Sequence, residues 1–131
     1  MVTKKDVSSM CMLKDNHIDV NGGITNAVKK AKLVCGFTTM IEVECRTEED
    51  AFEACKAGAH IIMLDNFEPE KCKKSAEKIK KEFPHITIEA SGGITLKTVS
   101  GYLSSNIDVI SFGALTQGFP TVDMSLKIQK K

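Results

Sequence analysis

Short runs of apolar and β-branched residues alternate with longer amphipathic segments along the chain, and this alternation restricts the fold more than any other feature. The runs SSMCML (8–13), TTMIEVEC (38–45), HIIMLD (60–65), HITIEA (85–90) and IDVISFGA (107–114) read as strands. Between them, ITNAVKKAKLVC (24–35) carries Ile24, Ala27, Val28, Ala31 and Cys35 at the spacing of one helix face. TEEDAFEACKAG (47–58) reads as a helix with Thr47 as N-cap, an acidic first turn and Gly58 as its stop. PEKCKKSAEKIKKEF (69–83) opens on a first-turn proline and turns a lysine-rich face to solvent. TLKTVSGYLSS (95–105) reads as a further helix, the tail VDMSLKIQKK as a closing one, and KDNHIDVNGG (14–23) as a polar turn.

Strands that are apolar almost throughout suit a parallel sheet covered on both faces. Two α/β architectures meet the pattern: parallel βα repeats forming part of a (β/α) barrel, with about five strands, or a five-stranded doubly wound sheet. A complete eight-stranded barrel takes about 250 residues, so a length of 131 favours the doubly wound sheet on size alone. Without a linker or low-complexity stretch, residues 1–131 read as one domain. In both architectures ligands bind at the carboxyl ends of the strands.

Those ends carry a coherent set of side chains. Lys14, Asp15 and Asn16 follow the first strand, Glu42 and Glu44 lie on the second, and Asp65 and Asn66 follow the third. Glu89 and Ser91-Gly92-Gly93 end the fourth, with Ser111 and Gly113 on the fifth. Glu42 and Glu44 stand two residues apart on a strand and so face the same way. A polar mouth accommodates that pair at less cost than a helix layer. Ser91-Gly92-Gly93, ahead of a helix, offers unobstructed backbone N–H groups to a phosphate, and Gly113 supplies a second glycine turn. Asp65 reads equally as a helix N-cap, and Lys14 equally as a solvated turn lysine. Together these residues suggest a site for a phosphorylated sugar, its carboxylates aimed at hydroxyls, a metal or a developing positive charge.

Composition narrows the partners. A net charge of +1 gives no electrostatic reason to expect nucleic acid or an anionic membrane. No apolar run approaches a bilayer span and the first residues lack a signal-peptide core, so a cytoplasmic location is expected. The five cysteines form no C-x-x-C pair and read as reduced, small hydrophobes, and the three histidines lack metal-ligand spacing. Arg46 is the lone arginine among 18 basic residues, so forked anion contacts are scarce.

The strings MLKDNHI, IEVEC, IIMLDNF, IEASGGIT and DVISFGALTQ, in this order and spacing, resemble the quinolinate phosphoribosyltransferases. The resemblance runs from about residue 10 through FPTVDMSLKI and covers the C-terminal barrel portion of that family. It implies transfer of a phosphoribosyl group from phosphoribosyl pyrophosphate to quinolinate. The products are nicotinate mononucleotide, pyrophosphate and carbon dioxide, Mg²⁺ is the cofactor, and the step belongs to NAD biosynthesis. Carried over by motif, Lys14, Glu44 and Asp65 are the catalytic set. Lys14 and Lys4 would contact anionic groups, while Glu44 and Asp65 would face the ribose hydroxyls and the metal-bound pyrophosphate. Ser91, Gly92, Gly93 and Gly113 would hold the 5′-phosphate. The family's His-Arg pair is replaced here by Thr3-Lys4-Lys5, and Met40 stands where lysine is common. The family's N-terminal domain and first barrel strands have no counterpart in the chain. The expectation is therefore a fragment with reduced or no activity alone, associating with itself or with a missing half. The alternative is a non-catalytic half-barrel remnant that binds a phosphate ligand or a partner.

Overall fold

The computed structural model of the chain describes residues 10–36, 38–115 and 121–127. In order, the elements are β1 (Met10–Leu13), α1 (Asp15–Val20), α2 (Ile24–Cys35), β2 (Met40–Cys45), α3 (Glu48–Ala57) and β3 (Ile61–Asp65). They continue with α4 (Pro69–Glu82), β4 (Thr87–Ser91), a 3-10 turn (Val99–Tyr102), β5 (Val109–Leu115) and β6 (Thr121–Lys127). The strands form a sheet in the order β1-β2-β3-β4-β5-β6. The class is the expected α/β arrangement of βα repeats, with six strands in place of about five. Two compact units divide the chain, Met1–Ile62 and Met63–Lys131.

In the first unit β1 and β2 run parallel, Met10 opposite Met40 and Met12 opposite Glu42. Ile41, Val43 and Cys45 point to one side of β2 and are fully buried, as are Val28 of α2 and Ala51 and Ala54 of α3. Alternation along the strand thus separates a helix-covered face from the face that carries Glu42 and Glu44. α3 begins as expected, Thr47 accepting a hydrogen bond from the Asp50 N–H at 3.1 Å. It ends on Gly58 in the left-handed conformation, φ +106°. A carboxylate of α3 also caps α2: Glu53 accepts from the Thr25 N–H at 3.1 Å and its hydroxyl at 2.9 Å. Residues 14–23, expected as a turn, contain α1. None of its residues is buried, not even Ile18 or Val20, so no core-facing apolar period betrays it. The Lys14 N–H donating to His17 Nδ1 and the Ile18 N–H donating to the Lys14 carbonyl hold its first turn instead.

The second unit has α4, opened by Pro69 at its first turn, with Cys72, Ser75, Ala76 and Ile79 buried. β4 and β5 are parallel, with Ile88, Ala90 and Ile110 fully buried on the side opposite Glu89 and Ser111. Asp108, just before β5, ties β4 to α4: it accepts from the Ile88 N–H at 2.8 Å and pairs with Lys80 of α4 at 2.9 Å. Two expectations fail here. Residues 95–105 give only one 3-10 turn, because Thr98 Oγ1 takes the Thr95 N–H at 3.0 Å and competes with helical pairing. Gly101 belongs to that turn because a Cβ there would stand 3.3 Å from Pro69. The tail as far as Lys127 is β6, antiparallel to β5, and not a helix. Val122, Met124 and Leu126 alternate with Asp123, Ser125 and Lys127, which is the period of a strand. Tyr102 closes the unit, buried, its hydroxyl donating to the Phe67 carbonyl at 2.7 Å.

Candidate functional site

Two turns meet at the carboxyl ends of β3 and β4. Asn66, directly after β3, has φ +60°, the only positive φ outside glycine among the described residues. Asparagine tolerates this conformation because its short polar side chain bonds locally, and here its Nδ2 reaches Asp65 Oδ2 at 3.4 Å. The reversed backbone lets the Asn66 N–H donate to the Ser91 carbonyl at 2.9 Å. On the other side Gly92 and Gly93 follow with φ +86° and +71°. A Cβ on Gly92 would stand 2.5 Å from Asp65 Oδ1 and 2.8 Å from the Asn66 nitrogen. Only hydrogen fits between the carboxylate and the glycine backbone.

Asp65 is therefore not a helix N-cap, because α4 starts at Pro69 with Glu68 in the cap position. Ser91-Gly92-Gly93 does not lead into an α-helix, so no helix N-terminus supplements its backbone donors. Gly113 lies within β5, opposite Asp123, and not in a turn after the strand. On β4 and β5, Glu89 accepts a hydrogen bond from the Ser111 hydroxyl at 2.7 Å, and Ser111 lies 3.3 Å from the Ser125 hydroxyl across the β5–β6 pair. These hydroxyls and the carboxylate extend the polar face on which Ser91 stands. Ser125 is the member that sequence reasoning did not assign to the site, whereas Asn66 stood in the strand-end set without a role of its own.

In the first unit Glu42 is buried, 2% exposed, and Glu44 is half-buried on the same face of β2. Lys14 is exposed at the N-cap of α1. Arg46, the lone arginine, pairs with Asp15 at 2.8 Å, so a carboxylate of the chain already neutralises it. His60 is structural: its Nδ1 accepts the Ile41 N–H at 2.9 Å while its own N–H returns to the Ile41 carbonyl. Lys4 lies outside the described residues. An open groove of ≈ 590 Å³ runs between α2 and α3, lined by Thr25, Lys29, Glu48, Phe52, Glu53 and Lys56 among others, and none of the expected site residues borders it. Of the cysteines, Cys45, Cys55 and Cys72 are buried, but Cys35 is exposed at the last turn of α2 and so is not core. Burial raises the thiols of Cys45 and Cys72, the latter to about 12.

Among the described residues no three His, Cys, Asp or Glu side chains cluster to hold a metal ion by themselves. Mg²⁺ does not require such a cluster when it arrives on phosphate oxygens, since one or two carboxylates then complete its shell. Asp65, half-buried at the end of β3, is a carboxylate of that kind.

A family model described as quinolinate phosphoribosyl transferase, C-terminal domain, matches residues 2–127. The chain belongs to the quinolinate phosphoribosyltransferase family. Among relatives, it is 56% identical over 128 residues to the carboxylating nicotinate-nucleotide pyrophosphorylase of Dictyostelium discoideum, covering 98% of this chain and 43% of that protein. The human protein of the same name is 44% identical over 126 residues, covering 96% and 42% respectively. The crystal structure of NadC from Streptococcus pyogenes superposes with a TM-score of 0.70 at 29% identity, over 97% of this chain and 45% of that one. The chain thus spans less than half the length of these relatives. As a family member it carries the motifs MLKDNHI, IEVEC, IIMLDNF and IEASGGIT on or beside β1, β2, β3 and β4. No helix among the described residues is long and apolar enough to cross a membrane.

Proposed function

We propose that the chain is the phosphoribosyl-binding part of a quinolinate phosphoribosyltransferase, a pentosyltransferase of NAD biosynthesis. The observation that supports this most is the close approach of Asp65 to Gly92, within a chain 56% identical to a carboxylating nicotinate-nucleotide pyrophosphorylase. The reaction breaks the bond between ribose C1 and pyrophosphate and forms a bond from C1 to the quinolinate nitrogen, with loss of carbon dioxide. Positive charge grows on C1 as pyrophosphate departs. Carboxylates held in a water-poor setting stabilise that charge without reorganising at the moment of reaction. Asp65 takes this role in the second unit and also accepts from ribose hydroxyls; Glu44 is assigned to the substrates by family motif alone.

The backbone N–H groups around Gly92 and Gly93 and the Ser91 hydroxyl face the 5′-phosphate, with Gly113 beside them on β5. Lys14 and Lys4 supply point charges to the anionic groups of the substrates. Asp65 would help to hold Mg²⁺, whose charge would neutralise the pyrophosphate. Met10, Met12 and Met40 are 56, 37 and 39% exposed on one face of the β1–β2 pair. Such a surface favours self-association or pairing with further polypeptide of the same family. Cys45, Cys55 and Cys72, buried and in the thiol form, suit a reducing cytoplasm.

Calorimetric titration with phosphoribosyl pyrophosphate, with and without Mg²⁺, tests the binding half. Release of carbon dioxide from carboxyl-labelled quinolinate tests the catalytic half. Metal-dependent binding without release would leave a non-catalytic ligand-binding remnant. Absence of binding would remove the phosphoribosyl assignment. Sedimentation of a stable monomer would remove the self-association.

A further inference from the structure

In the first unit one ion pair joins two segments that core packing leaves loosely tied. Arg46, one residue past β2, pairs with Asp15, the first residue of α1, at 2.8 Å. No residue of α1 is buried. Among the described residues its hydrogen bonds stay within 14–23. The Lys14 N–H donates to His17 Nδ1, the Ile18 N–H to the Lys14 carbonyl, and the Gly23 N–H to the Ile18 carbonyl at 2.9 Å. The Arg46 pair reaches out of that segment to the neighbouring strand.

The residue beside that anchor is Lys14. β1 and β2 run in register, Leu13 opposite Val43, and Lys14 keeps an extended backbone, φ −107° and ψ 173°. One step further along the pair therefore sets Lys14 level with Glu44. Alternation puts both on the face that carries Met12 and Glu42. A lysine and a carboxylate thus occupy adjacent positions where β1 and β2 end, and the chain turns into α1 directly after the lysine.

We infer that Arg46 is a positioning residue: through Asp15 it fixes the start of α1, and so holds Lys14 beside Glu44 for the anionic groups of phosphoribosyl pyrophosphate. The inference rests on the proposed role of Lys14 as a point charge for those groups. Arginine suits the task because its planar fork is pre-organised for a carboxylate, whereas a lysine would hold Asp15 by charge alone. The two side chains are 61 and 47% exposed, so the pair adds little to folding stability. What it can fix is geometry. The same bond argues against Arg46 as a direct ligand, since the guanidinium would have to give up a charge-assisted partner to meet the substrate.

Two measurements on the full chain test this. Amide hydrogen exchange without ligand reads the tie itself. Arg46→Ala should speed exchange across α1 while β2 and α3 keep wild-type protection, and Arg46→Lys should fall between. Unchanged exchange in α1 would overturn the inference whatever the ligand does. Calorimetric titration with phosphoribosyl pyrophosphate and Mg²⁺ reads the consequence. Arg46→Ala and Asp15→Asn should each weaken binding by about fivefold, within the range of coupling between neighbouring residues, with melting curves near wild type. In a Lys14→Ala chain, which itself binds less tightly, Arg46→Ala should cause no further loss. Equal losses with and without Lys14 would show the arginine meeting the ligand directly and would overturn the positioning role. Full affinity in Arg46→Ala beside a weakened Lys14→Ala would overturn it too, and would leave the proposed function standing. Wild-type affinity in Lys14→Ala, or no binding by wild type, would remove the role of Lys14 and the inference with it.

Discussion

The main-chain N–H of Asn66 donates to the carbonyl of Ser91 at 2.9 Å, tying the turn that ends β3 to the turn that ends β4. The bond exists because Asn66 adopts φ +60° and because Gly92, next in line, has no Cβ. The Asp65 carboxylate and the glycine backbone are thereby held in contact. An acid and a set of N–H donors at one point can act on the two ends of a sugar phosphate.

Gly92→Ala places a methyl 2.5 Å from Asp65 Oδ1 at a φ of +86°. The expected cost is about 1–3 kcal/mol for the backbone conformation alone, read as a lower urea midpoint. Affinity for phosphoribosyl pyrophosphate should fall by at least about tenfold, equivalent to 1.4 kcal/mol. A variant with unchanged affinity would separate Gly92 from the ligand.

Asn66 separates backbone from side-chain effects. Asn66→Gly keeps the left-handed backbone accessible, and its stability should stay close to wild type. Asn66→Ala keeps the Cβ that asparagine already carries there but loses the polar side chain that offsets the left-handed conformation, at a cost of up to about 1 kcal/mol. Denaturation of both variants checks this; equal losses would show that the amide, not the backbone, matters.

Asp108 anchors α4 to the sheet through Lys80 and the Ile88 N–H. Asp108→Ala leaves a mostly enclosed ammonium and a buried N–H without this acceptor, with an expected loss of about 2 kcal/mol. Asp108→Asn keeps an acceptor for Ile88 and should lose less. Thermal unfolding of the three proteins gives the order directly.

Cys72 is fully buried, and burial pushes its thiol from 9.0 to about 12. Below pH 9 the thiol is neutral in both folded and unfolded chain and stability does not depend on it. Between 9 and 12 the unfolded chain ionises first, so stability falls as pH rises. Cys72→Ala should flatten that decline, whatever it costs at neutral pH. An unchanged slope would count against enclosure of the thiol.

Most of the fold is legible in the period of the apolar residues. β2, β3, α2, α3 and α4 announce themselves because each buries one face, and Thr47, Gly58 and Pro69 mark their ends through local chemistry. What is missed carries weaker signals. α1 buries nothing, so no apolar spacing records it. The segment at 95–105 is decided by a Thr95–Thr98 contact and by Gly101 against Pro69, both tertiary or side-chain events. β6 shows a two-residue period, but its pairing with β5 is a tertiary event that no local signal records. At the site, the residue types at the strand ends are legible, as is their likeness to a family. The contact of Asp65 with Gly92 is not, since it depends on a left-handed Asn66 and on the register of two turns 26 positions apart in sequence.

The burial of Tyr102 has an optical consequence. The chain contains this one tyrosine and no tryptophan, so its near-ultraviolet emission is dominated by a single ring hydrogen-bonded to Phe67. That ring belongs to the unit from Met63 onward. Emission therefore watches one half of the molecule while circular dichroism watches both, and a displaced pair of melting curves would reveal halves that open independently.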